Sequence, residues 1–274
     1  MPDLTFTGAD SVITDLNDRT SYVLKSLRGS GVPPLIHETV KTPSRRGEIY
    51  IRAVLEPRFL VVVMGIFGSS PEDSETKRRA LVRALNPKLG IGTLKWTPNS
   101  TVYAIDCVLE QGLRFEGHGP ISPSLNLSFR CPDPTWYDPA VKSSAFAITG
   151  GLSIPMTIPM SISALTQLQV IDNIGDLDTF PTITIPGPFT NPKITNVTTS
   201  KVISFSGLTV LTGETFIIDM DKQTAKVDGV SVMDKRTSDS EAWALETGLN
   251  TVRFETSTGQ ATATVAWFTR FLGV

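Results

Sequence analysis

The stretch "RCPDPTWYDP", residues Arg130 to Pro139, divides this chain of 274 residues into two halves of different character. Its three prolines cannot donate to a sheet ladder, so they should end the strand predicted for the preceding "SLNLSF". The adjacent aromatic residues Trp136 and Tyr137 favour a packed position over a solvated one. We therefore predict a stiff domain boundary at which these two rings hold the two domains against each other.

The half before the boundary, residues 1–139, has the pattern of a β-domain. "GEIYIRAVL" (Gly47 to Leu55) and "TVYAIDCVL" alternate in the manner of strands and are rich in β-branched or aromatic residues. "FLVVVMGIF" (Phe59 to Phe67) is a run of nine residues, long enough for a buried strand and far short of the roughly 20 residues that span a bilayer. We expect a sheet here and no membrane insertion.

One helix is predicted within this domain, at about residues 70–86. Ser70 is a good N-cap, Pro71 fits the first helical position, and the first turn is acidic. Pro87 ends the pattern. An apolar stripe predicts that the helix covers one face of the sheet, and it consists of Ala80, Leu81, Ala84 and Leu85.

The half after the boundary, residues 140–274, predicts a second domain made of short strands. Turn signals recur every eight to twelve residues, no helical pattern is present, and Asp228-Gly229 predicts a tight hairpin turn. The predicted strands are "TFPTITIPG", "PKITNVT", "KVISFSG", "TFIIDM", "TAKVDG", "NTVRFET" and "TATVAWFTRFL". This spacing indicates an antiparallel β-sandwich. Taken together, the two halves predict a mainly β fold class, with one covering helix in the first domain.

The composition favours a folded protein without a strong electrostatic partner. Hydrophobic residues make up 40% of the chain, charged residues 19%, and the net charge is −2. Such a balance gives no field that would attract nucleic acid. The N-terminal sequence also lacks a secretory signal pattern, and two cysteines are too few for a disulfide framework. We expect Cys107 and Cys131 to be reduced, packed thiols, with a bridge between them as the alternative.

Catalytic and metal-binding patterns are missing from the sequence. His37 and His118 are the only histidines, neither lies in a ligand-spaced cluster, and no nucleophile, zinc or phosphate-loop motif occurs. The densest acidic cluster contains Asp172, Asp176 and Asp178, whose spacing does not fit an EF-hand, so a solvated loop is preferred to a calcium loop. We predict no catalytic residue, no cofactor and no metal site.

Basic and aromatic residues were considered as binding surfaces. The only basic concentrations are the pair Arg45-Arg46 and the triplet Lys77 to Arg79, which is more often solvated or salt-bridged than bound to phosphate. Four tryptophans could form a stacking platform, namely Trp96, Trp136, Trp243 and Trp267. For Trp243 and Trp267, which lie in strand-like alternations, core packing is the commoner role. The residues therefore favour a chain that binds or assembles over an enzyme.

The order of these features along the chain resembles the distal tail proteins of siphophages. The resemblance covers nearly the whole chain, and its ordered series reads "PR…NP…F-x-C-x-D-P…N-x-G-D…P-x-I-x-I-x-G…NP-x-I…L-x-x-G-x-N". It implies an N-terminal domain that assembles into a homohexameric ring and a galectin-like outer domain. It also implies as partners the tail tube protein, a hub or fibre protein and the tape measure protein, in a virion made in the host cytoplasm.

Two other classes of function stay open at this stage. A carbohydrate-binding β-sandwich would need an exposed aromatic surface, for which Trp243 and Trp267, or a rim with Asp172 and Asp176, are the candidates. A hydrolase that uses two carboxylates would need one essential acid. For a ring, we hypothesise that the N-terminal domain supplies both contact patches, supported by "FLVVVMGIF" and the predicted helix.

Overall fold

The structure is a computed structural model that describes residues 2–43, 46–115, 119–147, 165–259 and 261–274. The chain forms two compact units. The first consists of Met1–Pro139 and Phe271–Val274, and the second of Ala140–Arg270. The last four residues, assigned to the second domain from the sequence, thus belong with the first unit.

The first unit contains ten strands and the one α-helix of the described chain. They are β1 (Asp3–Thr7), β2 (Ile13–Asp15), β3 (Tyr22–Arg28), β4 (Leu35–Val40), β5 (Ile49–Leu55), β6 (Arg58–Phe67), α1 (Pro71–Ala84), β7 (Gly92–Thr97), β8 (Tyr103–Leu109), β9 (Ile121–Cys131) and β10 (Trp136–Tyr137). A 3-10 turn follows α1 at Pro87–Leu89.

The second unit contains twelve strands, and a last short strand follows it. They are β11 (Lys142–Ala147), β12 (Leu165–Asn173), β13 (Thr182–Pro186), β14 (Phe189–Thr190), β15 (Lys193–Asn196), β16 (Lys201–Ser204), β17 (Thr209–Val210), β18 (Thr215–Asp219), β19 (Thr224–Val227), β20 (Val230–Ser231), β21 (Gly248–Thr256), β22 (Thr262–Trp267) and β23 (Arg270–Phe271). The mainly β class is confirmed.

A large antiparallel sheet organises the first unit, in the order β2-β1-β7-β8-β9-β6-β3, and β10 pairs with β8 and β23. β6, the predicted buried strand, lies between β9 and β3, and its apolar side chains enter the core. Trp136 is fully buried in the same core, where the guanidinium carbon of Arg58 lies 5.9 Å from the centroid of its ring. The Trp136 side chain is therefore part of the interior of the first unit.

Helix α1 begins as the sequence predicted. Ser70 Oγ accepts a hydrogen bond from the Asp73 N–H at 3.2 Å, and Pro71 occupies the first turn. The predicted stripe is confirmed at Leu81 and Leu85, which are buried in the core, whereas Ala80 is exposed and Arg78 is buried beside the stripe. Arg78 donates to Ser122 Oγ at 2.6 Å, which satisfies a charged group on the buried side of the helix.

The second unit is an antiparallel sandwich with its own core. A six-stranded sheet has the order β11-β22-β13-β18-β19-β20 and a four-stranded sheet the order β12-β21-β15-β16. Phe146 of the first sheet meets Phe254 of the second edge to face, with ring centroids 6.1 Å apart. The predicted Asp228-Gly229 turn joins β19 to β20, and both residues have the positive φ angles that such a turn requires.

Asp18 organises the turn before β3 and should make the first unit sensitive to acid. One carboxylate oxygen of Asp18 accepts the N–H groups of Thr20, Ser21 and Tyr22 at 2.9, 2.7 and 2.8 Å. Partial burial raises the pKa of Asp18, but these hydrogen bonds outweigh it and the net pKa is below its ordinary value.

A lowered pKa in the folded state means that the carboxylate stabilises the fold above about pH 4 and that this contribution is lost as the pH falls further. We expect the melting temperature of the chain to fall below about pH 4, and less steeply in the Asp18→Asn variant, whose amide oxygen accepts the same N–H groups. Thermal unfolding followed by circular dichroism between pH 2 and pH 6 measures this. Identical pH profiles for the two proteins would contradict it.

Candidate interaction surface

A β-hairpin made of β4 and β5 stands apart from the large sheet. It is the connection between β3 and β6, which pair with each other, and it forms a separate two-stranded sheet. The register runs from Leu35 opposite Leu55 to Val40 opposite Ile49, with a bulge after Glu38. Neither β4 nor β5 pairs with any other strand of the described chain.

Both faces of the hairpin expose apolar side chains. Ile36 and Val54 pair on one face of the hairpin. The bulge after Glu38 sets Tyr50 opposite Thr39, so Tyr50 lies on the other face, in ring contact with His37. Seven large apolar side chains are each 39–60% exposed: Leu35, Ile36, Val40, Ile49, Tyr50, Ile51 and Val54. A concentration of exposed apolar residues on this scale marks a surface that binds another molecule.

Polar contacts within the hairpin fix its shape but add little stability. Arg52 donates to both carboxylate oxygens of Glu38, at 2.7 and 3.2 Å, and Thr39 donates to Glu48 at 2.5 Å. Exposed ion pairs contribute at most about 1 kcal/mol, and an isolated two-stranded hairpin is marginally stable in water. The hairpin should therefore gain order and stability when a second surface covers it.

A groove in the first unit runs beside α1. It has a volume of about 740 Å³ and is lined by the C-terminal half of the helix and by residues 109–113. Val82, which is 48% exposed, lines it together with the basic residues Arg83 and Lys88 and the acidic residue Glu110. A groove lined by both apolar and charged residues can serve as a protein contact surface.

The residues that were weighed as catalytic or basic sites are not brought together. His37 lies on the hairpin beside Tyr50, whereas His118 and Arg45 fall outside the described residues. The triplet Lys77 to Arg79 is divided: Lys77 bonds Asp73 at 2.9 Å, Arg78 is buried, and Arg79 faces Glu75 at 3.8 Å. The triplet therefore does not present one basic face.

The carboxylates and tryptophans also have separate positions. Asp172, Asp176 and Asp178 are exposed, and in the described part of the chain no three His, Cys, Asp or Glu side chains form a potential metal-binding group. Trp243 and Trp267 are buried in the core of the second unit, at 1% and 7% exposure. These two rings are therefore not exposed, and the prediction that they could form a sugar-binding rim or stacking platform is wrong.

The hairpin is the feature that the sequence interpretation missed. "GEIYIRAVL" was correctly predicted as a strand, but its predicted regular alternation, with Ile49 and Val54 on opposite faces, is broken by the bulge after Glu38. Apolar residues on both faces of a strand are the signal for burial on both sides. Within the described residues no helix is long and apolar enough to cross a bilayer.

Two sequence profiles of phage proteins match the chain. The siphovirus-type tail component, C-terminal domain, matches residues 174–271, and the phage tail protein RIFT-related domain matches residues 7–131. The two matches define a structural component of a phage tail. More particularly, the chain belongs to the siphophage distal tail protein family.

Solved structures share the fold over almost the entire chain. The Dit protein (gp 19.1) of phage SPP1, described as a paradigm of the hub adsorption apparatus in phages that infect Gram-positive bacteria, aligns with 17% identity and a TM-score of 0.69, covering 97% of this chain and 98% of that one. Chains of the phage P2 baseplate in its activated conformation align with TM-scores of 0.54 with Ca and 0.53 with Sr, at 11% and 12% identity and the same coverage. No curated protein is significantly similar in sequence.

Proposed function

We propose that this protein forms a homohexameric ring at the distal end of the phage tail. The ring joins the tail tube protein on one side to a tail-associated hub or fibre protein on the other, with the tape measure protein as a further contact. The number six is taken from the resemblance to siphophage distal tail proteins and is part of the proposal. The chain acts as a structural connector and supplies no catalytic residue or cofactor.

The observation that carries self-assembly is the hairpin of β4 and β5. A closed ring requires a heterologous interface, in which one patch of a subunit meets a different patch of the next. The hairpin supplies a projecting patch with apolar residues on both faces. The first unit also offers a second patch, the groove beside α1, which agrees with the hypothesis that this half of the chain provides both contacts.

The same proposal gives the location of the protein and the partners of the ring. A tail-tip ring is part of the virion and is made, before assembly, in the cytoplasm of the host bacterium. The surfaces of the ring that remain after closure are available to the tube above and to the hub below. Because the net charge of the chain is only −2, we assign no specific nucleic-acid contact to it.

The first experiment is the solution mass of the purified full-length chain. A hexamer has about 178 kDa, which is six times the chain mass of 29.7 kDa. Light scattering behind a sizing column measures this mass, and electron microscopy of the peak shows whether the particles are closed rings. A chain that stays at 29.7 kDa at every accessible concentration would contradict self-assembly.

A further inference from the structure

The two cysteines of the chain lie on neighbouring antiparallel strands of the first unit. β8 and β9 pair Val108 with Arg130 and Leu109 with Phe129, and this register, continued by one residue beyond the paired positions, places Cys107 opposite Cys131. Residues directly opposite each other in an antiparallel pair have Cα atoms about 4.5–5.5 Å apart. Disulfides span Cα separations of about 4.4–6.8 Å, so the register has the spacing that a disulfide requires.

The two side chains also meet on the same face. Both cysteines are fully buried free thiols. The neighbouring Cys131 side chain and burial together raise the pKa of Cys107 well above its ordinary value. Because the thiolate is the reactive form, exchange in the closed fold should be slow and should proceed when β8 and β9 separate or before they pair.

We propose that Cys107 and Cys131 are a disulfide site, reduced in a reducing compartment and closed by a low-molecular-weight disulfide such as oxidised glutathione. This assignment is independent of the proposed ring. It rests on the register of β8 and β9 and on the contact between the two side chains. The crosslink would join β8 to β9, two strands that are otherwise held together by backbone hydrogen bonds.

The reaction balances with glutathione as the only co-reactant. The thiolate of one cysteine attacks the disulfide of oxidised glutathione, breaks its S–S bond and releases one glutathione thiol. The thiolate of the second cysteine then attacks the mixed disulfide, forms the protein S–S bond and releases the second glutathione. The protein loses two hydrogen atoms and two electrons, and oxidised glutathione gains them as two thiols.

The test refolds the reduced full-length chain in a buffer of oxidised and reduced glutathione, so that burial of the thiols does not block the exchange. Free thiols are then alkylated under denaturing conditions and the intact mass is measured. We expect no alkylated cysteine, a mass about 2 Da below that of the reduced chain, and a melting temperature of the first unit higher by about 5–10 °C, because the crosslink restricts the unfolded chain.

The single variants Cys107→Ala and Cys131→Ala are the matched controls. Each keeps one thiol and should show no rise in melting temperature in the same buffer. A wild-type chain that retains two alkylatable thiols, or that carries glutathione on both cysteines, would overturn the proposal. A disulfide that lowers the melting temperature would overturn it as well, because it would show that the register strains the bond.

Discussion

Replacing Ile36 with lysine and Tyr50 with glutamate in the same chain is expected to leave the protein monomeric and so prevent the proposed ring from forming. The two residues lie on opposite faces of the hairpin and are 49% and 60% exposed in the isolated chain. Substitutions at such exposed positions usually change the free energy of unfolding by less than about 0.5 kcal/mol. The pair of changes also leaves the net charge unaltered, so the monomer should fold as before.

In the ring, by contrast, each new charge would be buried against apolar surface. Breaking an interface with an unpaired buried charge costs about 3 kcal/mol or more, which weakens association on the order of a hundredfold at each contact. We expect light scattering to give a mass near 29.7 kDa at concentrations where the wild type forms rings. Circular dichroism should show unchanged strand content.

The matched control places the same two changes on the second unit. Leu168 and Leu249 are 54% and 69% exposed on β12 and β21, and both are apolar residues of similar size. Leu168→Lys with Leu249→Glu should leave the mass of the ring unaltered. The assignment of the hairpin is wrong if the hairpin variant still forms rings, or if the control variant loses them to the same extent.

The features that the sequence predicts well are those set by neighbouring residues. Helix α1 begins where Ser70 and Pro71 place it, because a capping side chain and a fixed φ angle act within one turn. The helix ends at Ala84, before the predicted limit of residue 86, and Asn86 caps the following 3-10 turn instead. Gly229 likewise has the positive φ that its turn needs.

Features that depend on distant residues were less predictable. The contact between Cys107 and Cys131 follows from the register of β8 and β9, which no local pattern specifies. Arg78 was interpreted as part of a solvated or salt-bridged basic triplet, but it is buried and donates to Ser122, 44 residues away in the sequence. The exposed hairpin could not be foreseen either, since a strand that is covered by a second chain has the same alternation as a strand in a core.

Arg58 is expected to be the most important polar side chain for the stability of the first unit. It is 1% exposed, and its Nη1 donates to the backbone carbonyls of Gly29 at 3.1 Å and Ser30 at 2.9 Å. Its Nη2 donates to the carbonyl of Leu272, so the guanidinium links the segment after β3 to the residues that follow β23. The N–H of Val274 donates to the Ser30 carbonyl at 3.0 Å and closes the same junction.

The Arg58→Met variant removes these donors while keeping an unbranched side chain. Relief of the buried charge offsets part of the loss, but the Gly29 and Leu272 carbonyls lose this donor at a cost of about 1–3 kcal/mol each, and the contact with the Trp136 ring is lost. The Ser30 carbonyl keeps the N–H of Val274 as a donor. We expect a net loss of about 3 kcal/mol in the free energy of unfolding. The melting temperature of the first unit should fall by about 10 °C.

Arg130→Met is the matched control, because Arg130 is on β9 with a side chain 48% exposed and 3.8 Å from Glu110. Loss of such a surface pair should cost less than about 1 kcal/mol. A loss no larger than that of Arg130→Met would show that the hydrogen bonds of Arg58 do not hold the first unit together.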